Sequence, residues 1–356
     1  MQLRVVLRTP GGETVTREVR DGLWAGPRKT IPDQVLGADM WALPGLVDAH
    51  AHLAGDRMDL APGDREGAER RARTALEAGV GLLLDKGWSD STVVELIDEM
   101  PLQDRPDIEA AGGMYAVAGG YSPGFTRNVI PGGMAESVRQ ASIEGRGWVK
   151  LIGDWPRKGL GPVPNFSGDE LATAVEVASG LGARVAIHTM AREVPSMAVE
   201  AGVHSIEHGL FLDSDDMEVL GARAGIWVPT VVQVETLIGM LGAESSGGRL
   251  LREGLENMSS TFSLAVEAGV HVLAGTDLAV GSHQVALEGV RLWEMGMAPR
   301  AVVDAVGASG FRATGRSDAF ELGTPANVVM FSEDPIRDPR ILSHPRVVMR
   351  MGRILT

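Results

Sequence analysis

The sequence predicts an α/β fold: a (β/α)8 TIM barrel carrying a small β lobe assembled from both chain ends. Three observations support it. Between residues 44 and 321, short apolar β-rich runs alternate with longer amphipathic stretches, the pattern of repeated βα units around a parallel sheet. Histidines and one aspartate fall at the C-terminal ends of several of those runs, the face on which such barrels build their sites. Both chain ends instead show short alternating segments cut by glycine and proline, with no helical period.

From Gln2 to Leu43 the breaks at Gly12, Gly22, Gly26, Pro27, Pro32 and Gly37 predict a few antiparallel strands. Barrel strands are expected at Ala42–Val47, Val80–Leu84, Ile108–Ala111, Trp148–Ile152, Arg184–Ile187, Ser205–Ile206, Ile226–Pro229 and His271–Ala274. Helical periodicity is expected at Arg65–Ala78, Ser91–Met100, Gly133–Glu144, Gly168–Ser179, Arg192–Ala201, Ser214–Ala224, Leu250–Ala268 and Val285–Met295. After Gly323, Asn327–Phe331 and Arg346–Arg350 look like strands again, and the two ends are expected to pair. The expected organisation is therefore a β domain from residues 1–43 and 322–356 and a barrel from 44–321. A doubly wound sheet competes with this, but its glycine-rich dinucleotide fingerprint is missing after the first strand.

Composition narrows the chemistry. The 356 residues, 44% hydrophobic and 22% charged, are those of an ordinary globular chain. A formal net charge of −14 argues against nucleic acid and anionic membranes, whose binding needs clustered Lys and Arg. Zero cysteines exclude disulfides, thiolate metal sites and a cysteine nucleophile. The start, MQLRVVLRTPGGETV, lacks the features of a signal peptide and no apolar run reaches membrane length, so a cytoplasmic protein is expected.

His50 and His52 follow the first barrel run, His188 ends another, His208 follows Ser205-Ile206, and Asp277 closes Ala-Gly-Thr-Asp. Taken alone, each histidine is more often a strand cap. Four of eight histidines at predicted strand ends, with one carboxylate, point instead to a divalent metal held by His and Asp. Lys150, flanked by Trp148, Val149, Leu151 and Ile152, is poorly placed for a surface lysine.

The segment PGLVDAHAHL at Pro44–Leu53 resembles the HxH motif of the amidohydrolase superfamily, and SIEHG at Ser205–Gly209 and AGTD at Ala274–Asp277 resemble its later signatures. EAGVGLLLDKG at Glu77–Gly87 and GTPANVVMFSEDPIRDP at Gly323–Pro339 extend the likeness over nearly the whole chain, closest to the imidazolonepropionase-like and prolidase-like branch. The resemblance implies a distorted barrel with a β-sandwich formed from both termini. It also implies a binuclear centre, with His50 and His52 on the more buried ion and His188 and His208 on the other. Lys150 would bridge them as a carbamate derived from carbon dioxide. Asp277 would ligate the first ion and serve as catalytic acid and base. Zinc is the expected metal, with Mn, Fe and Co as alternatives.

By the same resemblance Tyr121 stands where relatives often carry Gly-Gly-His. Tyr121, Arg192 and His283 are expected to contact substrate, and Asp48 and Asp85 to orient their neighbours; His204, His271 and His344 are assigned to structure. The departure is His188-Thr189-Met190-Ala191, where dipeptidase-like relatives read His-Ala-His or His-Ala, and deaminases place Glu where Ala191 stands. The expected function is hydrolysis, by metal-activated water, of a carbon-nitrogen bond in a small amide, dipeptide, cyclic amide or urea-like substrate. Alternatives are a mononuclear deaminase or imidazolone-type ring hydrolase, an ester or lactone hydrolase, and a non-enzymatic barrel. The sequence does not fix an oligomeric state; a homo-oligomer is compatible with it, and dimers are common among soluble enzymes.

Overall fold

The computed structural model describes residues 2–55, 63–277 and 285–356. Among the described residues its central sheet has nine parallel strands, eight of them in sequence, β1 (Leu46–Ala51), β2 (Val80–Asp85), β3 (Asp107–Ala116), β4 (Gly147–Ile152), β5 (Arg184–Thr189), β6 (Ser205–His208), β7 (Ile226–Val228) and β8 (His271–Val272), with Arg127–Asn128 added beside β3. Each of the eight pairs with the next in chain order. The outer strands also meet: Ala49 N donates to Ala274 O at 2.9 Å and Asp277 N to His50 O at 2.6 Å. The sheet therefore curls until β1 lies beside the end of β8, which brings distant strand ends onto one rim.

The crossovers are helical for local reasons. Asp64 caps the helix Arg65–Glu77 by accepting from Gly67 N, and Ala68, Ala72, Ala75 and Leu76 form its buried stripe. Capping boxes Ser167/Glu170 and Asp213/Asp216 start the helices Gly168–Gly180 and Ser214–Ala222. Three helices escaped the periodicity reading, Val231–Leu241, Pro299–Ala305 and Ala308–Ala313. The first is apolar nearly all round and the other two are under eight residues, so none shows a clear amphipathic period. A hairpin, Asp154–Arg157 with Gly161–Pro164, likewise lies outside the expected elements.

The expected strand Ala42–Val47 is in fact two. Trp41–Leu43 belongs to the terminal sheet and β1 starts at Leu46. Pro44 offers no N–H to a ladder. Gly45 lies so close to β2 that a Cβ there would sit 2.8 Å from Gly81 Cα, a backbone atom. Gly45→Ala is accordingly expected to destabilise the fold by about 1–3 kcal/mol, read as a lower urea midpoint at unchanged m-value.

The terminal strands Leu3–Arg8, Thr14–Arg20, Leu23–Ala25, Gln34–Leu36 and Trp41–Leu43 join Val328–Phe331, Val347–Arg350 and Arg353–Ile354 in one eight-stranded sheet. The expectation of antiparallel strands needs correction here. Gln34–Leu36 and Trp41–Leu43 both pair with Leu3–Arg8 in parallel, because the chain crosses over between them instead of turning back by a hairpin. The sheet's edge returns on itself, with Trp24 N donating to Thr324 O and Ala326 N to Gly22 O, both at 2.8 Å. Leu3, Val5, Leu7, Trp24, Phe320 and Met330 form its separate core.

Inside the curled sheet, Val47, Ala49, Leu82, Leu84, Ala111, Trp148, Ala186, Ile226, Val228 and Leu273 pack into one cluster. Their alternate spacing is the period of two of strands, in which every second residue shares a face. Among the described residues no helix is long and apolar enough to cross a membrane.

Candidate functional site

The interior-facing residue after Ala49 should be Ala51, yet the inward positions are His50 and His52. The β1–β2 ladder slips between Asp48 and Ala51, and that irregularity changes which side chains face inward. Asp48 holds the slipped segment by accepting from His50 N at 3.2 Å, Thr276 N at 3.0 Å and Thr276 Oγ1 at 2.6 Å. It thereby ties β1 to the turn carrying Asp277. His208 and Asp277 take left-handed backbone angles, φ 63° and 54°, unusual away from glycine and of the kind that gathers at functional sites.

His50 Nε2 and His52 Nε2 lie 3.3 Å apart, and Asp277 Oδ1 is 3.5 Å and 3.3 Å from them respectively. His188 Nδ1 faces His208 Nε2 at 2.9 Å, and the His50 and His208 rings are 5.4 Å apart. All five side chains are buried.

Three of the imidazoles have their other nitrogen committed outward. His50 Nδ1 is 2.7 Å from Glu207 Oε2, His52 Nδ1 is 2.6 Å from the carbonyl of Gly87, and His208 Nδ1 is 2.6 Å from Thr230 Oγ1. The Gly87 carbonyl can only accept. The Thr230 hydroxyl donates to Pro229 O at 2.8 Å and so accepts from His208. With Nδ1 donating, His52 and His208 turn their Nε2 lone pairs inward, and the Glu207 charge 2.7 Å from His50 Nδ1 favours a proton on that nitrogen and the lone pair on Nε2. Lone pairs of neutral imidazole and carboxylate converge there without a proton between them, which is the donor set of a divalent cation site. Burial supports the neutral form, pushing His50 down to about 4, His208 to about 3 and His188 well below the usual histidine range. Burial raises the Asp277 carboxyl, but His50, His52 and His208 outweigh it and hold it well below the carboxylate range. His50, His52 and Asp277 thus form a candidate metal site.

Residues 41–355 match the Amidohydrolase family. The chain belongs to the amidohydrolase family. Family membership makes it a hydrolase. It is 31% identical over 350 residues to an uncharacterized protein of Mycobacterium tuberculosis, covering 93% of this chain and 91% of that one. To the ochratoxinase of Aspergillus niger it is 23% identical over 370 residues, covering 87% and 74%. Among solved structures, a Xaa-Pro dipeptidase with bound methionine in its active site has TM-score 0.81 at 22% identity, covering 99% of both chains. The A. niger ochratoxinase structure has TM-score 0.81 at 19% identity, covering 100% of this chain and 96% of that one.

Other predicted residues of this amidohydrolase divide. Lys150 projects from β4 into the same interior; it is 1% exposed, and its Nζ has no hydrogen-bond partner among the described residues. Burial pulls it down to about 8, against the opposing pull of Glu207. Tyr121 packs edge-on to His188 with centroids 6.0 Å apart, and burial and the Asp277 charge keep its phenol protonated. Arg192 does not join the cluster: it is half exposed, ion-paired with Glu253 and laid over Phe211 at 4.6 Å. His283 lies outside the described residues. Asp85 accepts from Leu53 N at 2.6 Å and Gly87 N at 2.8 Å, which sets the carbonyl that His52 uses.

The sequence reading missed Lys86, Glu207, Asp154, Trp155 and Thr230. Period-two spacing could have found two of them, since Lys86 continues Leu82 and Leu84 inward, and Glu207 continues Ser205. Trp155 lies on the unanticipated hairpin, 4.4 Å from Tyr121 and 6.4 Å from His188. Asp154, fully buried, accepts from Met190 N and Ala191 N at 2.8 and 3.0 Å, fixing the loop beyond His188. Burial raises its carboxyl to about 7 from an ordinary 3.8. The native state therefore favours the protonated acid, and the stability that Asp154 contributes is full below about pH 4 and lost as pH rises through 7. Asp154→Asn should remove that component, flattening the decline in melting temperature between pH 4 and pH 8.

Proposed function

We propose that this chain is a metal-dependent hydrolase that cleaves the carbon-nitrogen bond of a small amide with water. The observation that carries the reading is the meeting of His50 Nε2, His52 Nε2 and the Asp277 carboxylate at one buried point, with the His188–His208 pair beside it. His50, His52 and Asp277 would hold one divalent ion, zinc by preference, and His188 and His208 a second. Lys150 fits the bridging place between them. Its buried, unpartnered amine near pKa 8 has a neutral fraction, and the neutral amine adds carbon dioxide with loss of a proton to give a carbamate with two anionic oxygens. The bound ions would supply Lewis acidity, lowering the pKa of water and polarising the substrate carbonyl.

Asp277 Oδ1 receives the proton from the attacking water and returns it to the departing nitrogen, which leaves as a neutral amine. The Tyr121 hydroxyl, kept protonated and without a hydrogen-bond partner among the described residues, donates to the oxygen that gains charge. Trp155 and Tyr121, partly exposed beside His188, give the substrate a flat apolar wall. Phe125 and Trp88 extend the ring contacts to His52, with centroid distances of 4.7 Å between them and 5.9 Å from Trp88 to His52. Such a wall suits an aromatic or bulky apolar substituent next to the scissile bond. The family's named relatives, a Xaa-Pro dipeptidase and an ochratoxinase, are consistent with amide substrates. We read the enzyme as a distorted barrel with a β-sandwich divided near residues 43 and 321, cytoplasmic, and acting on a small molecule. The net charge of −14 supports the absence of a nucleic-acid or membrane partner.

The test is a panel of dipeptides and N-acyl amino acids bearing phenyl or methyl side chains, assayed with and without a chelator. Hydrolysis that favours the phenyl members and stops on chelation is expected. Hydrolysis at the same rate after complete chelation would sink the reading.

A further inference from the structure

The barrel interior holds a second buried lysine that the mechanism above does not use. Lys86 follows β2 and its backbone N donates to Ala51 O at 2.8 Å, between the two histidines of the HxH motif. Its side chain is 0% exposed, with Nζ 3.1 Å from Glu207 Oε1 and 4.2 Å from the centre of the Trp148 ring. Glu207 is also 0% exposed. Its Oε1 accepts from the Ser205 hydroxyl at 2.6 Å and is ion-paired with Lys86, and its Oε2 lies 2.7 Å from His50 Nδ1.

We propose that Lys86 is a positioning residue for the metal centre, acting through Glu207 to fix the orientation and tautomer of His50. The inference rests on the metal-site reading above. An ammonium has only donors, so the oxygen it holds must accept. The Ser205 hydroxyl and the Lys86 charge hold Oε1 in place, which keeps the Oε2 charge 2.7 Å from His50 Nδ1 and favours the proton on that nitrogen, with Nε2 toward His52 and Asp277. A carboxylate holding a ligand histidine is a common arrangement around metals, and its loss lowers metal affinity by about 10–100-fold. Here the carboxylate itself lies in an apolar interior where an unpaired charge is strongly unfavourable. Lys86 supplies the compensating charge from below, and Trp148, whose Nε1 donates to Glu109 at 2.8 Å, presents its ring to the ammonium.

The test uses full-length Lys86→Met, with the double variant Lys86→Met/Glu207→Gln as the form that leaves no unpaired charge should the single variant not fold. Metal-stripped protein is titrated with Zn²⁺ by calorimetry, and the cobalt-substituted protein is examined by visible absorption. The expected result is an ion bound about 10–100-fold more weakly than in the wild type, with an altered cobalt band in whichever variant folds. Lys86→Arg should restore part of the affinity. Wild-type affinity and an unchanged cobalt spectrum, with only the melting temperature lowered, would overturn the inference and leave Lys86 a packing residue. A wild-type protein that itself binds no ion would overturn the metal reading as well, and the two failures are told apart by that control.

Discussion

Asp277→Asn is expected to lower kcat/KM by on the order of 10²–10⁴-fold while leaving the melting temperature of the metal-free protein nearly unchanged. The substitution keeps the shape of the side chain. It also keeps the backbone bond from residue 277 N to His50 O, 2.6 Å long, and asparagine tolerates the left-handed φ of 54° about as well as aspartate. What it removes is the charge and the oxygen that accepts the proton. The carboxylate stands 3.3 Å and 3.5 Å from two histidine nitrogens, so its loss also weakens the ion those nitrogens would hold. Steady-state kinetics on the best member of the amide panel, alongside thermal melts, measures both. Unchanged turnover in this variant would remove Asp277 from the chemistry.

Lys150→Met is expected to move stability and activity in opposite directions. In the metal-free protein the amine is buried with no hydrogen-bond partner among the described residues, and methionine fills a similar volume without the desolvated polar group. The metal-free variant should be more stable than the metal-free wild type by about 1–3 kcal/mol, seen as a higher urea midpoint. On the proposed binuclear reading activity should fall by at least about 10³-fold, because the bridge that Lys150 would supply, and the charge stabilisation that depends on it, are lost. A surface or ion-paired lysine would show neither effect. A stabilised variant with full activity would make Lys150 a structural residue.

Much of this molecule could be read from its sequence because strand ends are marked by composition. His50, His52, His188, His208 and Asp277 follow apolar β-rich runs, and a curled parallel sheet has one rim on which they can meet. The geometry within that rim was less legible. The slip in β1 that turns His50 and His52 inward has no signature of its own, since Asp48 acts through Thr276, 228 residues away. The split at Pro44 and Gly45 was hidden because the apolar residues on either side serve two different sheets. Glu207 and Lys86 were legible by parity alone, yet a buried charge is found by its partner, and the partner lies on another strand. Arg192 shows the opposite failure: its position after His188 suggested a substrate contact, whereas Glu253, from a helix 61 residues further on, takes its guanidinium.

The most direct test of the account is metal content per chain, measured by elemental mass spectrometry on protein prepared without chelator and with bicarbonate present. The convergence of His50, His52 and Asp277 on one point, with His188, His208 and Lys150 in the same interior, predicts about two divalent ions per chain, and loss of amide hydrolysis when they are removed. A chain that carries no ion under these conditions, and hydrolyses its substrate equally well after exhaustive chelation, would contradict it.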